Sequence, residues 1–233
     1  MPKVYIQGSG GKIDGMYTPS ENEKAPSVLI LHPHPLYGGT MNNKIIYGMA
    51  KQFADSGFSV LRINFRGVGN SDGQFSNGVG ELDDAASAFD WLHLQNQKSS
   101  QLWVAGFSFG AWIAMQLVMR RPEIDSFVVA STPVSRYNFN FFVPCPIAGL
   151  IIQAEEDEIS LPQSTLGLHS KLQQNGNIRI VLEVVESATH FFVGHEEQIF
   201  DSITSYIKEA LTSKNPNKIV RYRKRKRLKK SVA

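Results

Sequence analysis

The sequence has little cysteine and no long apolar run. Its 233 residues include one cysteine, Cys145, which excludes an internal disulfide and a cysteine-rich metal site. Prolines flank Cys145 and no helix start follows it, so we expect a small packed residue rather than an activated thiol. No apolar stretch reaches the roughly 20 residues of a bilayer-spanning helix, and the N-terminus has no apolar signal-peptide region. We therefore expect a soluble, cytoplasmic protein.

Acidic residues are absent from the last 20 positions. Residues 214–233 hold ten lysines and arginines and no acid, whereas residues 1–213 hold 14 cationic residues against 21 acidic ones. A block of like charges repels itself. We therefore expect one domain over 1–213 and a disordered basic tail over 214–233. Such a tail attracts anions weakly and without specificity, and we expect no specific nucleic-acid partner.

Apolar runs alternate with helical periodicity along most of the chain. Short continuous apolar runs are typical of parallel strands that are buried on both faces, and apolar spacings of three and four residues predict helices. The alternation predicts an α/β fold with a mostly parallel central sheet and helices on both faces. The expected strands are 4–7, 12–17, 27–32, 59–63, 102–105, 126–130, 148–154 and 179–185. The expected helices are 45–53, 82–92, one directly after residue 108, 164–174 and 196–211.

Residues 106–110, Gly-Phe-Ser-Phe-Gly, fit G-x-S-x-G between a predicted strand and a predicted helix. The motif needs this context, because its serine lies on a sharp turn with little room for neighbouring side chains. The amide of Phe109 would lie at a helix N-terminus, where free N–H groups stabilise negative charge. Taken alone, the pentapeptide is equally consistent with Ser108 merely ending a strand and capping a helix.

Other reactive side chains come after later strands. Functional groups collect at the carboxyl ends of parallel strands. The acidic cluster 155–158 comes directly after strand 148–154, and His190 lies in the loop after strand 179–185. This order of serine, acid and histidine is typical of α/β-hydrolases. His195 is the alternative base.

Signals for a cofactor or a metal are weak. The stretch 67–69, Gly-Val-Gly, resembles the start of a dinucleotide fingerprint, but Asp72 stands where the third glycine belongs and no helix opens there. The pair His190 and His195 has neither helical spacing nor converging ligands. We expect no cofactor and no metal.

Taken together, these features resemble the α/β-hydrolase superfamily over residues 28–211, and within it the compact group of dienelactone hydrolases and small bacterial esterases. The resemblance rests on the serine motif, on the loops after strands 148–154 and 179–185, and on two further stretches. Residues 32–43 read H-P-H-P-x-x-G-G-T-M-x-N, and residues 66–71 read R-G-x-G-x-S. The resemblance implies an α/β-hydrolase fold, and the short segment 131–146 implies no large cap domain.

The resemblance also implies roles for individual residues. Ser108 would be the nucleophile and His190 its base. Similar hydrolases place the acid three residues past a small residue at the strand end, which selects Asp157, with the glutamates at 155, 156 and 158 as alternatives. The oxyanion hole would use the backbone N–H groups of Phe109 and His34. Prolines 33 and 35 have no N–H, and similar hydrolases place the second donor at the position of His34.

Aromatic residues in the loops are candidates for an apolar substrate pocket, with packing in the core as the alternative. These candidates are Tyr37, Phe107, Tyr137, Phe139 and Phe191. Arg136 is a candidate for carboxylate recognition, although a solvated side chain is the favoured interpretation.

The sequence predicts a serine hydrolase that cleaves a small carboxylic ester or thioester through an acyl-enzyme on Ser108. The expected partner is that small-molecule substrate. Peptidase and acyltransferase activities use the same triad and stay open. So does a catalytically silent α/β-hydrolase scaffold that acts as an interaction protein.

Overall fold

A computed structural model describes residues 2–174, 178–213 and 223–225. Within these ranges the chain forms one sheet in the order β1-β2-β4-β3-β5-β6-β7-β8-β9. The strands are β1 (Lys3–Gly8), β2 (Gly11–Thr18), β3 (Ser27–Leu31), β4 (Ser59–Ile63), β5 (Leu102–Phe107), β6 (Ser126–Ala130), β7 (Gly149–Ala154), β8 (Ile180–Val185) and β9 (Arg223–Arg225). The pairs β1–β2 and β2–β4 are antiparallel, and the other pairs are parallel.

In the described part of the chain, five helices cover the two faces of the sheet. They are α1 (Lys44–Asp55), α2 (Val79–Gln95), α3 (Phe109–Val118), α4 (Pro162–Gln174) and α5 (Glu196–Thr212). Side chains alternate across a strand, so Val28 of β3 lies in the part of the core that α1 and α5 cover. The next residue, Leu29, lies in the part that α2, α3 and α4 cover on the other face. Strands β3 to β8 are buried along their whole length. The predicted α/β fold with helices on both faces is confirmed.

The connection between β6 and β7 is short. Within the described part of the chain it holds a single 3-10 turn, Asn140–Phe142, and no cap domain. Cys145 in this connection is buried, as predicted, and burial raises the pKa of its thiol to about 12. The carboxyl ends of β5, β7 and β8 consequently meet at an edge of the sheet that no inserted domain covers.

The predicted tail, 214–233, lies outside the described residues except for 223–225. These three residues form β9, which pairs with β8. Disorder of the remaining tail stays a prediction. Among the described residues, no helix combines the length and apolarity that crossing a bilayer requires.

Candidate active site

Ser108 lies on the turn between β5 and α3. Its backbone has φ 54° and ψ −118°, a conformation that is costly for a residue with a side chain and is common at functional sites. A Cβ atom at Gly106 would overlap the backbone of Gly110, and one at Gly110 would overlap the carbonyl of Leu31. Close backbone packing therefore requires both glycines of the motif, and the turn holds the Ser108 side chain at the edge of the sheet.

His190 joins Ser108 to Asp157. Its Nε2 atom lies 2.9 Å from the Ser108 hydroxyl oxygen, and its Nδ1 atom lies 2.9 Å from each carboxylate oxygen of Asp157. All three side chains are buried. The fold thus brings together three residues that are far apart in sequence, each at the end of a different strand: β5, β7 and β8.

The carboxylate of Asp157 is held ionised. Burial is the largest effect and raises its pKa, but hydrogen bonds from His190 and from the backbone amides of Ser160 and Ile159 outweigh burial and bring the pKa below its usual value. An ionised carboxylate only accepts hydrogen bonds. The neutral imidazole of His190 would therefore carry its proton on Nδ1, which leaves Nε2 to accept the hydrogen bond of the Ser108 hydroxyl.

Two serine hydroxyls connect the loops that carry these groups. The hydroxyl of Ser131, directly after β6, donates to the carbonyl of His190 at 3.0 Å. The hydroxyl of Ser160, in the loop after β7, donates to the carbonyl of Ser131, also at 3.0 Å. The end of β6 thus ties the Asp157 loop to the His190 loop, and the separation of acid and histidine depends on all three segments.

The predicted oxyanion-hole amides flank the same edge. Phe109 is the first residue of α3, and His34 lies in the loop after β3. Within the described ranges, neither backbone N–H donates a hydrogen bond. Free N–H groups beside a nucleophile can stabilise a developing oxyanion.

The side chain of His34 is uncharged at neutral pH. Partial burial lowers the pKa of this imidazole below its usual value. Its Nδ1 atom accepts a hydrogen bond from the amide of Leu36 at 3.2 Å, and its ring lies 5.0 Å from that of Phe109. The imidazole thus stabilises the loop whose backbone N–H is the candidate donor.

A cavity of about 520 Å³ opens at Ser108 and His190. Three of the five predicted pocket aromatics line it: Tyr37, Tyr137 and Phe191. The structure corrects the placement of the other two. Phe107 lies on the face of β5 that α1 and α5 cover and points into the core there, and Phe139 is buried in the core on the opposite face.

The alternative acids and the alternative base lie elsewhere. Glu155 accepts a hydrogen bond from the amide of Ser187, and His195 contacts the carbonyl of Val193. Among the described residues, no three His, Cys, Asp or Glu side chains converge to hold a metal ion.

Sequence reasoning missed the role of His32, which it quoted only as part of a motif. This fully buried ring accepts a hydrogen bond from the amide of Phe65 at 3.0 Å and lies 2.6 Å from the carbonyl of Pro33. Burial lowers its pKa from 6.5 to about 4. A neutral His32 therefore joins the ends of β3 and β4 beneath the His34 loop. His32 and Phe65 are far apart in sequence, so no local sequence pattern predicts their contact.

Relatives of the chain are similar along most of its length. The uncharacterized protein RP471 of Rickettsia prowazekii is 47% identical over 211 residues, which is 89% of each protein. A protein of unknown function from Agrobacterium tumefaciens, ATU1826, has a structure with TM-score 0.89 and 43% identity, covering 91% of this chain and 98% of that one. XC6422 from Xanthomonas campestris, an α/β serine hydrolase without a lid, has TM-score 0.82 and 28% identity, covering 91% and 95%.

The family model described as X-Pro dipeptidyl-peptidase (S15 family) matches residues 15–150, more than half of the chain. The matched region runs from β2 through the Ser108 turn to the start of β7. Together with the similarity to α/β serine hydrolases, this match shows that the chain belongs to the S15 family of the α/β-hydrolase superfamily.

Proposed function

We propose that the chain is a serine hydrolase that cleaves a small carboxylic ester or thioester through an acyl-enzyme on Ser108. One observation carries the proposal: the continuous line from Asp157 through His190 to Ser108, with 2.9 Å at each contact, at the mouth of a cavity. A nucleophile hydrogen-bonded to a base that a third group orients is the arrangement that acyl transfer requires.

In the first half of the reaction, Nε2 of His190 takes the Ser108 proton while the hydroxyl oxygen attacks the substrate carbonyl. The backbone N–H groups of His34 and Phe109 stabilise the oxyanion, each by about 3 kcal/mol. The tetrahedral intermediate then breaks its bond to the leaving oxygen or sulfur, which takes the proton from His190. The product is an acyl-enzyme.

In the second half, water replaces the alcohol or thiol. His190 removes a proton from the water as it attacks the acyl carbonyl, and the same amides stabilise the second oxyanion. The Ser108 oxygen leaves and recovers its proton from His190. A carboxylic acid is released, and the ionised Asp157 stabilises the imidazolium of both halves.

The family match favours a second candidate function, a peptidase that releases X-Pro dipeptides. Such a substrate presents a cationic α-amino group, which a buried or partly buried carboxylate would normally pair. Among the described residues that line the cavity there is no aspartate or glutamate. This favours the ester or thioester over the dipeptidyl substrate. An acyltransferase would share the acyl-enzyme and differ in its acceptor.

Labelling with a fluorophosphonate probe tests the nucleophile. We expect labelling of the wild-type protein and of Ser87→Ala, a matched control on the exposed face of α2, and none of Ser108→Ala. Labelling that survives in Ser108→Ala would place the reactive nucleophile elsewhere, and an unlabelled wild type would favour a silent scaffold. Either result would reject the proposal.

Substrate panels then separate the two candidate reactions. We expect hydrolysis of p-nitrophenyl esters of graded chain length and little release of p-nitroaniline from an X-Pro-p-nitroanilide. A higher kcat/KM on the anilide than on every ester would establish the peptidase instead.

A further inference from the structure

The lining of the cavity at Ser108 carries permanent charge of one sign. Arg136 is the one permanently charged side chain among the described residues that line it. The N-cap residues of α1 and α3, Asn43 and Ser108, line it as well. Two helix N-termini, each carrying a partial positive charge, therefore lie at the cavity. The lining thus presents one guanidinium and no carboxylate, although the buried Glu81 acts electrostatically on the lining residues His34 and Tyr137.

Arg136 is held at the cavity by the loop that carries Asp157. Its Nε atom donates a long hydrogen bond of 3.4 Å to the carbonyl of Ile159. The neighbouring Ser135 hydroxyl donates to the same carbonyl and accepts from the amide of Leu161. These bonds fix the backbone beside Arg136 and occupy only the Nε end of its guanidinium.

The terminal nitrogens of Arg136 have no acid partner. In the described part of the chain, no carboxylate lies within ion-pair distance of them, whereas Arg66, Arg121 and Arg179 each pair with an acid. A guanidinium presents paired donors that match a carboxylate. An unpaired guanidinium beside a nucleophile is suited to bind an anionic group of the substrate.

We propose that the site acts on acidic esters or thioesters, whose second, ionised carboxylate is bound by Arg136. This rests on the proposed hydrolase function and narrows its substrate class. The ionised carboxylate can belong to the acyl chain or to the leaving group. Arg136 is the specificity-determining residue in either case, and substrates charged on one side or the other distinguish the two.

Matched pairs of substrates measure the preference. On the acyl side, mono-p-nitrophenyl adipate is compared with p-nitrophenyl hexanoate, which has a methyl group in place of the carboxylate. On the leaving-group side, 4-carboxyphenyl hexanoate is compared with its neutral 4-carbamoylphenyl counterpart. Each kcat/KM is taken above the rate of Ser108→Ala, which corrects for spontaneous hydrolysis. We expect the ratio of charged to neutral substrate to exceed one in one of the pairs.

Variants of Arg136 test the cause of that preference. Arg136→Gln should lower the ratio about fivefold, the size of one partly exposed ion pair. Arg136→Lys should retain most of the preference for the charged substrate, and Arg136→Glu should bring the ratio below one. The control is Arg120→Gln, which removes the same charge at the far end of α3 and should leave the ratio unchanged. Raising the ionic strength should lower the wild-type ratio.

The outcomes separate this inference from the proposed function. Ratios of one or below in both pairs, or an equal effect of Arg120→Gln and Arg136→Gln, overturn the anion site while hydrolysis stands. If none of the four esters is cleaved, hydrolysis fails, and calorimetric titration of Ser108→Ala with monomethyl adipate still tests the anion site. Weaker binding of monomethyl adipate to the double variant Ser108→Ala/Arg136→Gln than to Ser108→Ala supports the anion site. Absence of binding to Ser108→Ala overturns it.

Discussion

The inner and outer parts of the candidate site are built differently. The inner group, Ser108, His190 and Asp157, is 8%, 5% and 2% exposed, and hydrogen bonds hold each member. The rim, formed by Tyr37, Arg136 and Phe191, is exposed, with Tyr37 at 85% and Phe191 at 51%. Chemistry requires fixed geometry, whereas recognition at an open rim tolerates variation. We therefore expect substitutions in the inner group to cost far more activity than substitutions at the rim.

The largest expected effect is the loss of the nucleophile. Ser108→Ala should lower kcat about a millionfold, because no other group attacks the carbonyl. The melting temperature should change little or rise, since the strained backbone of Ser108 remains available to alanine at a similar cost. Burst kinetics with p-nitrophenyl acetate measure the first effect and calorimetry the second. If Ser108→Ala kept a tenth of the activity, substitutions in the inner group would cost no more than substitutions at the rim, and the comparison would fail.

The next largest effect concerns the acid. Asp157→Asn should lower kcat about ten-thousandfold, because an amide N–H facing Nδ1 forces the proton of His190 onto Nε2. Steady-state hydrolysis of a p-nitrophenyl ester measures it. The control is Asp90→Asn on the exposed side of α2, which breaks only a surface pair with Arg121 and should leave kcat intact. A loss below tenfold would point to one of the glutamates at 155, 156 and 158.

A third prediction concerns stability beneath the inner group. The pKa of His32 falls from 6.5 to about 4 on folding. Between these two pH values its imidazole is protonated in the unfolded chain and neutral in the folded protein. The free energy of unfolding should therefore fall by about 3 kcal/mol between pH 6.5 and pH 4 on account of this ring.

Urea unfolding at pH 6.5 and pH 4 measures this loss. It should be smaller in His32→Asn, which has no titrating ring, and unchanged in the control His93→Asn on the exposed end of α2. Equal losses in His32→Asn and wild type would show that the buried ring does not govern acid stability.

The smallest effect is expected at the rim. Tyr37→Ala should change kcat/KM on short esters by less than about threefold and the free energy of unfolding by less than about 0.5 kcal/mol, because its ring is mostly in solvent. Parallel assays of this variant and Asp157→Asn give the contrast directly. A loss at Tyr37 as large as that at Asp157 would show that the rim belongs to the chemical machinery.

Features that local pattern determines were predicted best from the sequence. Periodicity located strands β1 to β8 and the helices, because burial on both faces of a parallel sheet leaves continuous apolar runs. It missed β9, which lies in the tail that was expected to be disordered. The serine motif was recognisable because backbone crowding at Gly106 and Gly110 admits no other residue. The roles of Ser108, His190 and Asp157 stay proposals, although the structure brings the three together.

Other features depend on long-range placement. Phe107 and Phe139 were expected in the pocket and lie in the core, because composition does not reveal which side of a strand end or a loop faces inward. The bond from Phe65 to His32 joins two strands that are separated by a helix. For Arg136, the sequence favoured a solvated side chain over carboxylate recognition. Its place at the cavity, and its lack of an acid partner among the described residues, are visible only once the fold is known.

The hydroxyl bonds of Ser131 and Ser160 have a consequence for protein engineering. Loop grafting commonly treats each loop as a separate cassette, to be lengthened or exchanged when a new specificity is sought. Here, a transplant covering 155–161 would also remove a hydrogen bond to Ser131, the residue that anchors the neighbouring histidine loop. Successful redesign would have to carry both loops and the end of β6 as one inseparable block.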